Sequence, residues 1–259
     1  MTNEEILNIA MSQSAIDSNC KAEDFKSLEN KIVISRKNPN ARKYLELPFS
    51  CDLTSYGNNI VASVSEELVD IVQEYIEKYE MIHCFETPNL HFLVEKLKPY
   101  NLNMCFMAEY FLPDLDILTP LSCPYEIKIL TENDLSELYY KQWSNALCHD
   151  KNRPDVLGVG AYDNEKLIGL AACSADCDTM WQIGIDVLPE YRRQGTASCL
   201  TSNLALEILK YGKVPFYCSA WSNIKSVRNA LKSGFKPAWV SFTAKPNNFI
   251  DKILYQAND

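Results

Sequence analysis

The stretch from Met180 to Ala197, M-W-Q-I-G-I-D-V-L-P-E-Y-R-R-Q-G-T-A, constrains this chain more than any other. It reads as an apolar strand, a proline turn, a basic loop with one glycine, and the opening of a helix. The first turn of a helix leaves backbone N–H groups unpaired, and its dipole favours an anion there. Gly195 lets backbone approach a ligand closely, Ala197 is too small to obstruct it, and Arg192 and Arg193 add phosphate-binding charge. The pattern is not a nucleoside-triphosphatase loop, since G-K-[S/T] is missing, and it is not a dinucleotide fingerprint, since G-x-G-x-x-G is missing. By itself the hexapeptide Arg192–Ala197 is equally well read as exposed turn charges around an ordinary turn glycine.

Periodicity organises the rest into alternating strands and helices. Thr2–Ala10 opens a helix, Lys31–Ser35 is a short strand, and Asn38-Pro39-Asn40 is a turn. From 59 to 111 the pattern predicts strand (Ile60–Val64), helix (Leu68 to Ile76), strand (Ile82–Phe85), helix (Pro88–Lys98) and strand (Leu102–Phe111), with Ser63-x-x-Glu66 as a capping box. Pro113, Pro120 and Pro124 mark a boundary near 120, so two domains are expected, 1–120 and 121–259. The second opens with a strand, Tyr125–Leu130. Thr131-x-x-Asp134 then caps a helix to about Tyr140, and a second helix is expected over Gln142–Asp150. A hairpin turns at Asp163–Lys166, the strand Met180–Val187 follows, and the helix after Gln194 ends at Gly212. Then come a strand (Phe216–Ala220), a helix from Asn223 with Ile224, Val227 and Leu231 inward, closed by Gly234, and strands at Phe235–Phe242 and Lys252–Tyr255. The order over 59–111 echoes that over 180–242, as duplication or as plain α/β alternation.

Two elements together carry a family resemblance. Arg192, Gly195 and Ala197 satisfy Q/R-x-x-G-x-G/A, and Asn223, Ser226, Gly234 and Phe235 satisfy a later pattern of Asn, a small residue three on, and G-F at the helix end. In this order and spacing they resemble the GNAT superfamily, the acyl-coenzyme A-dependent N-acetyltransferases. The resemblance covers roughly the second half. It implies an α/β (α+β) fold with a mixed, mostly antiparallel sheet flanked by helices. The first half is similar to the N-terminal regions of bacterial GNAT proteins that carry an extra, degenerate GNAT-like half.

The resemblance also implies roles. Backbone groups of Ile185, Asp186, Val187 and Leu188 would bond the pantetheine arm of acetyl-CoA, where two parallel strands splay at Pro189. Arg192, Arg193, Gln194, Gly195, Thr196 and Ala197 would hold the pyrophosphate, and Asn223 and Ser226 would contact the arm. An amine would attack the thioester directly in a ternary complex, with strand N–H groups stabilising the oxyanion. The departures concern protons. Trp181 and Ile183 stand where members often place a base, and Ala230 stands where many place a tyrosine acid. Tyr162, Asp186, Tyr217 and Cys218 remain as candidates, each also readable as structural. Trp181 and Trp221 read as core or wall residues. The first expectation is therefore an N-acetyltransferase acting on an amine of a small molecule or peptide. The rivals are a non-catalytic acyl-CoA-binding sensor or regulatory protein and an unrelated nucleotide-binding module.

Charge and cysteine content bound the partners. All of the net charge of −9 lies in residues 1–120, with 19 acidic and 10 basic residues. That is either a solvated acidic surface or a rim that attracts a cationic substrate, and it disfavours nucleic acid. No apolar run reaches membrane-spanning length, and the N-terminus has no signal-peptide pattern, so a cytoplasmic protein without membrane partners is expected, as monomer or homodimer. The ten cysteines include no C-x-x-C, and the three histidines lack metal-ligand spacing with them. Reduced thiols and no metal are expected.

Overall fold

Two compact units divide the chain, and they interleave along it. One comprises Met1–Ala10, Arg42–Tyr44 and Tyr110–Ala238, and the other Met11–Ala41, Leu45–Glu109 and Trp239–Asp259. These units do not follow a cut at 120. The computed structural model describes residues 1–256. Its elements are α1 (Asn3–Ser18), β1 (Lys31–Ile34), β2 (Cys51–Ser55), β3 (Val61–Val64), α2 (Val69–Lys78), α3 (Thr87–Leu97), β4 (Leu102–Pro113), β5 (Glu126–Thr131), α4 (Glu132–Ser136), β6 (Asp155–Asp163), β7 (Lys166–Ser174), β8 (Met180–Val187), α5 (Thr196–Lys210), β9 (Val214–Ser219), α6 (Ile224–Lys232), β10 (Phe235–Pro246) and α7 (Asn247–Gln256). The fold is mixed α/β with mostly antiparallel strand pairs flanked by helices. The exceptions are β1 with β3 and β8 with β9, which are parallel.

In the unit built on 110–238 the strands run β4-β9-β8-β7-β6-β5. The β6–β7 hairpin closes at Asp163↔Lys166, with Asn164 in the left-handed region that asparagine tolerates. α5 lays Leu200, Leu204, Ala205 and Ile208 on one sheet face, against Val159, Ala161, Ala171, Cys173 and Ile183. On the other face Trp143, Ala146 and Leu147 pack over Leu170 and Ala172. In the unit built on 45–109 the order is β1-β3-β2-β10-β4. There α2 and α3 bury Val72, Tyr75, Ile76, Leu90, Leu93 and Leu97 against Leu53, Ala62, Val64 and Phe242.

Several expected elements take other forms. Ile82–Phe85 is not a strand. A 3-10 turn spans Met81–His83, and the Tyr75 hydroxyl donates to the Cys84 carbonyl at 2.6 Å, so local groups use the backbone that a ladder would need. The echo of 59–111 against 180–242 thus lacks its middle strand. Ser63 does not cap α2, because pairing with β1 and β2 keeps it inside β3, and the turn into the helix starts after Ser65. Thr131 is the N-cap of α4 as expected and forms a capping box with Asp134, but the helix ends at Ser136 rather than near Tyr140.

The expected helix over Gln142–Asp150 reduces to one 3-10 turn, Lys141–Trp143. Two carboxylates capture the amides that a helix would use. Asp186 accepts from Asn145 and Ala146 N–H, and Asp155 accepts from Cys148 and His149 N–H. In α6 Ile224 and Leu231 point outward, 52% and 47% exposed. Ala230 is buried and Val227 packs on the core, which is the i, i+3 register of Val227 and Ala230 rather than the one read from the larger residues. Lys252–Tyr255 belongs to helix α7, where Phe249, Ile250, Ile253 and Leu254 recur at helical spacing.

Candidate active site

The feature that organises the site is the parting of two parallel strands. β8 pairs with β9 only at Met180↔Val214, Trp181↔Pro215 and Gln182↔Phe216. On its other edge β8 stays paired with β7 from Gln182 to Val187. From Ile183 onward one edge of β8 therefore faces away from any ladder partner in β9, so the strands separate well before Pro189. Ile185, Asp186, Val187 and Leu188 occupy that stretch and the turn beyond it. Leu188 N–H donates to the Ile168 carbonyl at 2.9 Å, which fixes the exit of the strand.

A tight loop then carries the chain into α5. Pro189–Tyr191 form a 3-10 turn, and the Arg192 side chain folds back so that its Nε donates to the Val187 carbonyl at 2.8 Å. Arg193 and Gly195 both take positive φ, 62° and 84°. Gly195 is the N-cap of α5, and the first intrahelical bond is Cys199 N–H to the Gly195 carbonyl at 3.0 Å. The first-turn amides of Thr196 to Ser198 lie before that bond and need a partner from outside the helix. A Cβ built on Gly195 meets nothing within 4 Å, so the space over the loop is open. The Thr196 hydroxyl is buried and has no hydrogen-bond partner among the described residues. Arg192, Arg193 and Gln194 are exposed around this opening, and Gln194 Oε1 accepts from the Tyr125 hydroxyl at 2.6 Å. Free amides, a donor hydroxyl and two guanidinium groups suit an oxyanion such as a phosphate.

α6 begins with Asn223, whose side chain accepts from Ser226 N–H at 3.3 Å and caps the helix. The Ser226 hydroxyl is 2.7 Å from the Tyr217 hydroxyl. Tyr217 follows Phe216, the last β9 residue paired with β8. Its ring is buried edge-on to Phe111, 6.4 Å between centroids, and burial pushes its pKa above the ordinary tyrosine value, with the Ser226 bond opposing. Cys218 accepts from Gln182 Nε2 at 2.9 Å, and burial pushes its thiol up to about 11, so it is neutral near pH 7.

The remaining candidates separate. Asp186 is an anchor, with three N–H donors at 2.8–3.0 Å on its two oxygens. Tyr162 lies on β6, with β7 between it and β8, beneath the Lys128 ammonium at 4.8 Å. Ile183 is core, and Trp181 packs on the core with its ring 5.8 Å from Tyr211. Trp221 is 62% exposed and is not core.

Gly184 and Asp176 escaped the sequence reading. A Cβ on Gly184 would lie 2.1 Å from the Asn145 carbonyl oxygen, so only glycine lets the 144–147 loop lie on β8. A glycine inside a strand is the signal for such close backbone approach. Asp176 is fully buried and accepts from Ser174 Oγ at 2.8 Å, with Arg153 Nη1 at 3.5 Å, and burial raises it to about 6. No local pattern marks it.

Parted parallel strands that run into a glycine-capped helix with open first-turn amides form a cradle for an anion. The chain belongs to the GNAT acetyltransferase family, whose model matches residues 57–238. The match extends on both sides of residue 120. A search of curated protein sequences returns no match. Among solved structures the chain is similar to a GCN5-related N-acetyltransferase-like protein from Streptococcus suis, at 18% identity and TM-score 0.43 over 59% of this chain and 66% of that one. It is similar to a GCN5-related N-acetyltransferase from Kribbella flavida, at 14% identity and TM-score 0.44 over 61% of this chain and 63% of that one. An acetyltransferase of the GNAT family from Colwellia psychrerythraea gives 16% identity and TM-score 0.41 over 61% and 63%. The matches span less than two thirds of these proteins' own lengths.

Proposed function

We propose that the protein is an N-acetyltransferase that moves an acetyl group from acetyl-CoA to an amine by direct attack. The family normally uses this co-substrate. The observation that carries the reading is the parting of β8 from β9 after Gln182, in the strand that leads into the Gly195 cap of α5. The backbone of Ile185–Leu188 would receive the pantetheine arm. Arg192–Ala197 would hold the pyrophosphate by backbone N–H groups, the Thr196 hydroxyl and the two arginines, and Asn223 and Ser226 would border the arm. As the amine nitrogen bonds to the carbonyl carbon and the C–S bond breaks, the leaving sulfur needs a proton. The Tyr217 hydroxyl, relayed to Ser226, is our candidate donor, since burial keeps it protonated near neutral pH. The acidic excess of residues 1–120 supports a cationic acceptor, and the ten free thiols support a cytoplasmic setting.

The test is calorimetric titration with acetyl-CoA, followed by assay of free coenzyme thiol across a broad panel of amines and peptides. Saturable binding with turnover of at least one amine is expected. Absence of acetyl-CoA binding overturns the reading. Binding without product on any acceptor favours the second reading, a non-catalytic acyl-CoA sensor. The observation behind that alternative is β8 itself, where Trp181 and Ile183 offer no proton acceptor and pack with the core.

A further inference from the structure

The strand order β4-β9-β8-β7-β6-β5 gives β5 a ladder on one side only among the described residues. β6 takes that side, in register from Glu126↔Tyr162 to Thr131↔Leu157. Along an antiparallel pair, successive residues turn their N–H and C=O groups alternately toward the partner and away from it. Thr131 shows which residues turn away, since its N–H leaves β6 and donates to Asp134 Oδ2 at 2.8 Å. Alternation then turns the backbone groups of Ile127 and Ile129 to the outer edge. Their side chains are 38% and 56% exposed. Outward backbone beside exposed β-branched side chains is a template for another strand.

β5 also carries its own complement. It reads E-I-K-I-L-T, so Glu126 and Lys128 stand on one face, with 3.5 Å between Oε2 and Nζ. The Tyr162 ring lies 4.8 Å from the same ammonium. A second β5 laid antiparallel exchanges backbone bonds only where outward residues face outward residues, which requires a twofold axis through a residue position. With Glu126 or Lys128 on the axis, two like charges meet. With Ile129 on the axis, Lys128 meets Leu130. With Ile127 on the axis, Glu126 of each copy faces Lys128 of the other, and Ile127 meets Ile127 on the opposite face. β1, the terminal strand of the other unit, reads K-I-V-I and has one charge without such a complement.

We propose that β5 is a homodimer interface, in which two copies of this chain pair antiparallel about Ile127 and continue the sheet from one copy into the other. Each Ile127 exchanges its N–H and C=O with Ile127 of the second copy. The two Glu126–Lys128 pairs close into a ring of four alternating charges on one face, and the same charges reject the registers centred on Glu126 and Lys128. The contact is isologous, so each copy consumes the other's open edge and assembly stops at two. Six residues a side make a small interface, so a dissociation constant of roughly 10 µM is expected.

The experiment is sedimentation velocity on the full chain over about 1 to 100 µM, with circular dichroism of every variant as the check on folding. The parent is expected to double in mass across this range. Lys128→Glu sets Glu against Glu and should weaken the dimer at least about tenfold, while the exchange Glu126→Lys with Lys128→Glu should restore it to within about twofold of the parent. Ile127→Pro removes the outward N–H, which an edge strand tolerates, and should leave the fold intact and the protein monomeric. A parent that stays monomeric throughout leaves the edge to a strand of some other protein and overturns the dimer. A dimer indifferent to Lys128→Glu and Ile127→Pro lies on another surface and overturns the site. Failure of the charge exchange to restore it overturns the register, and unfolding of Ile127→Pro would put that N–H in the β6 ladder.

Discussion

Asp186 holds Asn145 at two points, with Oδ2 accepting the backbone N–H and Oδ1 accepting Nδ2, both at 2.8 Å. A third bond, from Ala146 N–H at 3.0 Å, completes the anchor. The carboxylate is thus committed to shaping the loop over β8. Asp186→Ala is expected to lower unfolding free energy by about 2–3 kcal/mol in urea titration. The pH profile of turnover should keep its shape, and loss of one limb would return Asp186 to the list of proton carriers.

Gly184 is the other half of that contact. Gly184→Ala places a methyl group against the Asn145 carbonyl oxygen, at an unrelaxed 2.1 Å. Backbone cannot yield as a flexible side chain does, so a loss of about 3 kcal/mol is expected. A melting temperature equal to the parent's would show that the 144–147 loop does not lie on β8.

Gly195 has the opposite character. Its Cβ direction is empty, while its φ of 84° disfavours any L side chain. Gly195→Glu should cost about 1 kcal/mol of stability and leave the circular dichroism spectrum intact. It should abolish acetyl-CoA binding, because a carboxylate then occupies the anion's place. Unchanged affinity in calorimetry would remove the phosphate-loop assignment.

Asp52, in β2, is buried and accepts from Thr243 Oγ1 at 2.6 Å and Thr54 Oγ1 at 3.2 Å. Burial still raises it from 3.8 to about 6. The folded state therefore holds a proton that the unfolded state releases between these values, so this group's contribution to stability declines as pH rises from about 4 to about 6. Asp52→Asn keeps an acceptor for Thr243 and loses the buried charge. It should be more stable than the parent at pH 8 by about 2 kcal/mol and lose that advantage near pH 4, as read by urea titration at both pH values. An advantage that is the same at both would mean that Asp52 does not titrate between them.

Tyr217→Phe removes the hydroxyl that meets Ser226. If it supplies the leaving-group proton, turnover should fall about a hundredfold with coenzyme affinity unchanged. Because burial holds this tyrosine above its ordinary value of 10, it contributes no alkaline limb to the parent's rate profile between pH 7 and 9. Turnover equal to the parent's would leave Tyr217 a packing residue.

What the sequence by itself determined lies within a turn or two of chain. The bounds of β8, the helix start at Asn223 and the left-handed glycine at 212 follow from local propensity and spacing. The two motifs that pointed to the GNAT family are local in the same sense, so they survive without knowledge of packing. Only the tertiary structure decided what depends on a distant partner. The 142–150 segment carries helical periodicity, yet Asp186, some 40 residues away in sequence, takes its amides. α6 turns Val227 and Ala230, rather than Ile224 and Leu231, to the core, where they meet neighbours distant in sequence. The Leu121 carbonyl is held by Asn203 Nδ2, on a helix 82 residues further on. Local pattern fixes where elements begin and end. Which polar groups they exchange is set by burial, where each donor and acceptor must find a partner wherever the fold supplies one.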